Sequence, residues 1–356
     1  MVGGCFYVLS DIEVFILFYA RLDKICFSDR IIAAMNDNII FVFPGQGVQN
    51  FGMGAEIWRD FAVARYAYQE VSTAFGQDVA NISFGSRGGE LNQPENAAVA
   101  IFANSIAVAR VIEAEFNKPL YEIAYAITGH SMGQYSALCC AGSLDVMSAV
   151  QLLKKRSYYM YKKSPDNAGM MVVIGIDKDK LQNIIDTLSP IGFAQIANIN
   201  ADNQFVVSGY NNVLDELKKV LVGQRVKLVR RMNVAYPAHC ALMKDAEQEM
   251  RTDIRDVKIQ SPKTKWFSNH VADVVSDPEQ IRDMLCSQLT HGVRWAEIVK
   301  KFPSHNIKYA YELGAGRTLM GLINRANVGC AAKNTAQSVD LKVVLKDISD
   351  LMLKTR

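Results

Sequence analysis

Ile123-Ala124-Tyr125-Ala126-Ile127-Thr128 runs without a break into Gly129-His130-Ser131-Met132-Gly133. The first six residues are mostly apolar and read as a strand, at 123–128. The next five place a serine between glycines at −2 and +2, and an Ala-, Leu- and Cys-rich helical stretch follows. Strand, tight turn and helix in that order are the context a G-x-S-x-G nucleophile requires. The glycines have a steric reason: a sharp turn strains the serine and crowds its neighbours, and residues without a side chain relieve that crowding. The helix after Ser131 leaves backbone N–H groups free, so the Met132 N–H is a natural oxyanion donor. A Gly/Ser turn with no chemistry has the same letters; the flanking elements weigh against it.

Outward from this turn the chain alternates between strand and helix. The run 39–43 is β-branched and aromatic and ends at Pro44-Gly45, so it reads as a buried strand entering a loop. Segments 57–76 and 96–116 are Ala-rich, free of proline and read as helices. A different rhythm then sets in: strand 170–176, helix 178–188, strands 193–198 and 205–208, helix 212–221, strand 225–232. This β-α-β-β-α-β order is that of a ferredoxin-like unit. The expected architecture is therefore α/β, with a small domain at 168–232 inserted into a discontinuous larger one at 35–167 and 233–356. Short strands at 266–269 and 309–313 and a Gly314-Ala315-Gly316 turn belong to the larger part.

Composition sets the outer bounds. The chain has 356 residues, half of them hydrophobic and 21% charged, as in an ordinary globular protein with a large core. A net charge of +3 and the lack of a basic, aromatic-interleaved block give no reason to expect nucleic acid. No zinc-spaced Cys/His set occurs, and the seven cysteines include no C-x-x-C, so packed, reduced thiols of an intracellular protein are expected. Near the N-terminus the apolar run 14–20 is too short to span a bilayer, which takes about 20 such residues. Asp11 and Glu13 precede it with no basic segment, which counts against a signal peptide. The domain proper is expected to begin near Met35, with 1–34 as an extension or an upstream start.

A serine nucleophile needs a base. Of the five histidines, His130 adjoins Ser131, and neighbours on such a turn point apart, so it is read as packing support. His239, in Tyr236-Pro237-Ala238-His239-Cys240, follows the last strand of the inserted unit, where the chain returns to the main domain; a returning loop of that kind can sit over the nucleophile. His270, His291 and His305 lack such a context. Arg156, in Leu152-Leu153-Lys154-Lys155-Arg156, has two readings: a solvated basic helix face, or a buried guanidinium gripping a carboxylate through paired hydrogen bonds. The residues by themselves leave both open. Lys154, Lys155, Lys162 and Lys163 are read as solvated, with a basic docking surface as the alternative.

Several motifs occur in one order: Phe43-Pro44-Gly45-Gln46-Gly47-Val48-Gln49, Gly129-His130-Ser131-Met132-Gly133-Gln134-Tyr135-Ser136-Ala137, Arg156, Asn198-Ile199-Asn200, Pro237-Ala238-His239-Cys240-Ala241-Leu242-Met243, Gln288 before Val293-Arg294-Trp295, and Glu312-Leu313-Gly314-Ala315-Gly316. The set, over about 38–330, resembles the malonyl-CoA:acyl carrier protein transacylases of bacterial-type fatty-acid synthesis. The resemblance implies a hydrolase-like α/β domain with a parallel sheet and a ferredoxin-like insertion. It implies Ser131 as the serine that becomes malonylated and His239 as its general base and acid, oriented by the backbone carbonyl of Gln288. It implies Gln46 and Met132 as backbone oxyanion donors, Arg156 as the partner of the malonyl carboxylate, and Asn200 as a polar residue beside the site. Exchanging the side chains of Gln46 and Met132 is then expected to matter little.

On that resemblance the chain transfers malonyl from malonyl-CoA to the phosphopantetheine thiol of acyl carrier protein, a transient partner, by a ping-pong route. No bound cofactor, metal, nucleic acid or membrane is expected, and a cytoplasmic monomer is. A trans-acting acyltransferase of a polyketide synthase, a serine acyl hydrolase and a catalytically silent binding protein are the alternatives; Arg156 speaks against the hydrolase. Three departures from the family pattern stand out: Val48 for serine, Gln134 for glutamate, and Ala97-Ala98 where a glutamine near the site is common. The small Ala238 before the histidine does not exclude malonyl.

Overall fold

The computed structural model describes residues 38–234 and 236–354. The expected extension at 1–34 lies outside the described residues, as do Cys5 and Cys26. The other five cysteines are free thiols, four of them buried.

The central strand β1 is Ile39–Phe43, buried along its whole length. Its side chains alternate between two cores, as the period of a strand dictates. Ile39, Phe41 and Phe43 face the larger core, built on helices Ala62–Phe75, Pro94–Phe116 and Val146–Lys162; Ile40 and Val42 face the smaller one, with Trp295, Ile298 and Leu322. A strand buried on both faces loses polar alternation, which is why 39–43 reads as an unbroken apolar run. With β2 (Ala126–Gly129), the split-sheet strands β3 (Ala168–Ile174), β4 (Ala194–Ala201), β5 (Gln204–Tyr210) and β6 (Leu228–Arg231), and then β7 (Lys265–Ser268), β8 (Asp273–Val275), β9 (Tyr309–Glu312) and β10 (Ala331–Asn334), the chain forms two sheets. The larger has the order β10-β9-β1-β2-β7-β8 and is parallel except for the antiparallel edge strand β8. Helices cover both faces, so the architecture is α/β with a parallel-rich sheet.

The smaller sheet has the order β4-β5-β3-β6, antiparallel throughout, with helices Lys178–Thr187 and Asn211–Gly223 on one face. This is the ferredoxin-like topology expected from the β-α-β-β-α-β order. Met171 and Val173 point at those helices, whereas Met170 and Val172 turn the other way, toward a pocket between the sheets. Ile199 N–H donates to Val293 C=O at 2.9 Å and Val293 N–H to Ala197 C=O at 2.8 Å, tying β4 to the larger part.

Several element bounds differ from their sequence reading, three of them for a clear local reason. The helix expected at 57–76 is two helices, Ala55–Asp60 and Ala62–Phe75, because Phe61 is extended between them. The strand expected at 123–128 starts later, at Ala126, since Pro119 opens a short helix, Leu120–Ile123. The strand expected from 225 starts at Leu228, because Arg225 takes a left-handed φ of 58° in the turn after the preceding helix. Helix Pro94–Phe116 is long and apolar enough to cross a membrane, and 83% of its most apolar window is buried inside the protein.

Candidate active site

Ser131 sits where β2 turns into helix Gly133–Cys140, with φ of 52°, a left-handed backbone that a serine adopts only under constraint. The flanking glycines explain how the turn closes. A Cβ on Gly129 would lie 2.1 Å from the Gly133 carbonyl, and one on Gly133 would lie 2.3 Å from the Phe43 oxygen. The conformation is held by a residue the sequence reading passed over. Asn269, just beyond β7 and buried, accepts the Ser131 N–H on Oδ1 at 2.7 Å and donates through Nδ2 to Gly129 C=O at 2.8 Å. Gln134 completes the lock: Nε2 donates to Gly129 C=O at 2.9 Å and to Phe267 C=O at 3.1 Å, and Oε1 accepts the Asn269 N–H. An ionised glutamate there has no hydrogen to give those carbonyls, so this departure from the family pattern has a local role. Asn269 carries one sequence signal, a polar residue at the C-terminal end of a buried strand; only the pairing of β7 with β2 makes it readable.

His239 lies 108 residues further along and meets Ser131 directly. The Ser131 hydroxyl donates to Nε2 at 2.7 Å, and Nδ1–H donates to the Gln288 backbone carbonyl at 2.6 Å. A carbonyl accepts only, so Nδ1 carries the proton and Nε2 is left free to take one. His239 has φ of 61°, and Ser208 in β5 fixes its loop by donating to Ala238 C=O at 2.6 Å. Burial first, and the Arg156 charge second, push its pKa down to about 3. The imidazole is therefore neutral in the resting site.

Arg156 is 1% exposed. On helix Val146–Lys162 the buried residues Ala149, Leu152, Leu153, Arg156 and Met160 form one stripe at helical spacing, and the arginine occupies a core position in it. That spacing was in the sequence and decides between the two readings of Arg156 in favour of burial. Nη2 donates to Ser131 Oγ at 3.1 Å and approaches Gln288 Oε1 at 3.4 Å, while Nε has no acceptor. Among the described residues no carboxylate pairs with it.

The remaining candidates fall around this centre. Among the described residues neither the Gln46 nor the Met132 backbone N–H has a protein acceptor. Asn200 is placed beside His130, whose Nε2 is 2.9 Å from Asn200 Oδ1; His130 also packs on Trp295 at 5.8 Å, and burial holds its pKa below the ordinary value. Ser131, His239, Arg156, Gln46 and Asn200 all line one cavity of about 250 Å³, whose far wall is apolar: Met160, Met170, Val172, Val206, Met232 and Val234. Its lining contains no Asp or Glu. Val48 lines it too, but Ala97 and Ala98 do not; both are buried in packed positions. Lys155 and Lys163 are paired with Asp253 and Glu249, each at 2.7 Å, which removes two of four lysines from any basic surface there.

Known proteins resemble this chain over most of its length. The acyl transferase domain family matches residues 40–311. A malonyl CoA-acyl carrier protein transacylase of Bacillus subtilis is 30% identical over 321 residues, covering 86% of this chain and 76% of that protein. One from Escherichia coli is 29% identical over 286 residues, covering 80% and 91%. Among solved structures, an acyl-carrier-protein-S-malonyltransferase from Bartonella henselae superposes with a TM-score of 0.84 at 30% identity, covering 88% of this chain and 99% of that one. A malonyl-transacylase solved with its type II polyketide acyl-carrier protein gives 0.83 at 28% identity, covering 87% and 99%.

Proposed function

The chain belongs to the acyl transferase domain family, and on that footing we propose that it moves malonyl from malonyl-CoA to the phosphopantetheine thiol of acyl carrier protein through a malonyl-serine intermediate. The observation that carries the substrate choice is Arg156: a buried guanidinium beside the serine, with an idle Nε and no carboxylate partner among the described residues. A buried charge of that kind is costly unless a ligand pairs with it. The free carboxylate of a malonyl group has the charge and the two-oxygen geometry to do so.

The residues take the following roles. The malonyl carboxylate meets Arg156, which aims the thioester carbonyl at Ser131. His239 Nε2 takes the Ser131 proton as Oγ bonds to the carbonyl carbon. The oxyanion is received by the free N–H groups of Gln46 and Met132, in a pocket where such donors act undiluted by water. Collapse breaks the C–S bond, and the proton on Nε2 goes to the CoA sulfur. The pantetheine thiol of the carrier then retraces these steps, giving its proton to His239 as its sulfur takes the malonyl group. The Gln288 carbonyl holds the imidazole in one tautomer, and Asn200 with His130 braces the elbow against the smaller sheet. No resident cofactor enters the scheme; the carrier protein is a transient partner of a cytoplasmic monomer. Residues 168–232 act as an inserted unit within a discontinuous domain, 35–167 and 233–356, with the site between the two.

The test is acylation: the protein is incubated separately with malonyl-, acetyl- and methylmalonyl-CoA and the Ser131 peptide is weighed, then holo-carrier is added. Malonyl on Ser131, discharged to the carrier, is expected. Steady release of free malonate without carrier product favours a hydrolase. The likeness to the polyketide-associated transacylase keeps one second reading, separated by which carrier, fatty-acid or polyketide, is loaded faster.

A further inference from the structure

The Gln46 side chain is held at both ends. Its Nε2 donates to the Pro94 carbonyl at 3.3 Å, at the start of the long helix Pro94–Phe116, and its Oε1 accepts the Tyr236 hydroxyl at 2.6 Å. Tyr236 is buried and stands three residues before His239; burial raises its pKa, so the hydroxyl stays a donor. Gln46 itself lies outside any strand or helix, on the loop that follows β1, yet its N–H must hold position to within a few tenths of an ångström to receive an oxyanion. His239, in turn, rides on the same loop as Tyr236.

We infer that Tyr236 is a positioning residue for the acyl transfer: its hydroxyl, acting through the Gln46 side chain, ties the loop bearing one oxyanion donor to the loop bearing His239. Donor and base then keep one spacing through both half-reactions. This rests on the acyltransfer reading above. It also changes what is expected at position 46. The reacting group is the backbone N–H, but the side chain is the tether, so exchanging it is no longer silent.

The experiment uses Tyr236→Phe, which keeps the ring, Gln46→Ala, which removes the acceptor, and the double variant. Two rates are read: malonyl-serine formation against malonyl-CoA concentration, and phosphonylation of Ser131 by a fluorophosphonate, whose phosphoryl oxygen occupies the same oxyanion position. Loosening one donor, as opposed to deleting it, is expected to slow the saturating rate about tenfold while half-saturation moves less than about twofold, with phosphonylation slowed alike. The double variant should be within about twofold of the slower single one, because both remove the same tether. Tyr236→Phe at the wild-type rate, or effects that multiply in the double variant, overturns the assignment. Wild-type protein that takes the phosphonate but no malonyl removes the malonyl reading instead, and the phosphonylation ratio still decides on Tyr236.

Discussion

At Arg156 a cation occupies a core stripe with no counter-charge among the described residues, an arrangement that on the proposed function trades stability for recognition. Arg156→Met fills the same stripe with an apolar side chain. It is expected to raise the unfolding free energy by about 1–4 kcal/mol while removing the preference for malonyl over acetyl. Denaturant unfolding and the acyl mass on Ser131 read the two effects separately; a variant that still prefers malonyl refutes the clamp. Ser131→Ala should leave no malonyl-enzyme at all by mass. Asn269→Ala strips the partner from the half-buried Ser131 N–H and one of two side-chain donors from the Gly129 carbonyl, which keeps Gln134 Nε2, and is expected to cost about 1–3 kcal/mol in stability and to slow acylation, seen by calorimetry and by burst kinetics. Unchanged acylation in a folded Asn269→Ala protein shows that the elbow keeps its shape unaided.

At the scale of elements, the nucleophile turn depends on backbone approaching backbone. Gly133→Ala places a Cβ 2.3 Å from the Phe43 oxygen, a backbone atom that no side-chain movement can withdraw. The expected outcome is an aggregated or molten product, checked by the dispersion of its NMR spectrum; a soluble protein with native thermal stability contradicts the packing argument. What the sequence disclosed here follows from locality. The strand, turn and helix around Ser131 are contiguous, and the β-α-β-β-α-β order in 170–232 is a succession of short local runs, so both were legible. The break at Phe61 and the late start of β2 depend on how helices and prolines pack against the finished sheet. The Asn269 lock joins residues 138 apart and the Tyr236 tether residues 190 apart. Nothing in either neighbourhood announces the other, because strand register decides which distant side chains meet.

For the whole molecule, two buried groups set opposing pH trends. His239 has its pKa lowered from 6.5 to about 3, so the unfolded chain takes up the proton first and stability falls as pH drops below about 6.5. Glu312, whose Oε2 accepts the Met320 N–H at 2.7 Å near the start of helix Thr318–Ala326, is raised by burial from 4.5 to about 7. Its contribution is full below about 4.5 and is lost as pH rises through about 7. Glu312→Gln should therefore gain on the wild type in melting temperature between about pH 5 and 8; parallel curves for the two proteins remove Glu312 from the account. In activity, the acid limb of kcat/KM should fall well below pH 6, because the free base stays neutral there.

The backbone carbonyl that faces His239 Nδ1 has a consequence for the charge inventory of turnover. A carboxylate in its place would put a fixed anion beside a site that admits an anionic acyl group. With Gln288 C=O there, the empty cavity carries one positive charge, from Arg156, and no negative one. Once malonyl is seated the sum is zero. It stays zero at the tetrahedral stage, where an imidazolium and an oxyanion appear together. Added salt should then weaken the arrival of substrate and leave the bound reaction indifferent to ionic strength.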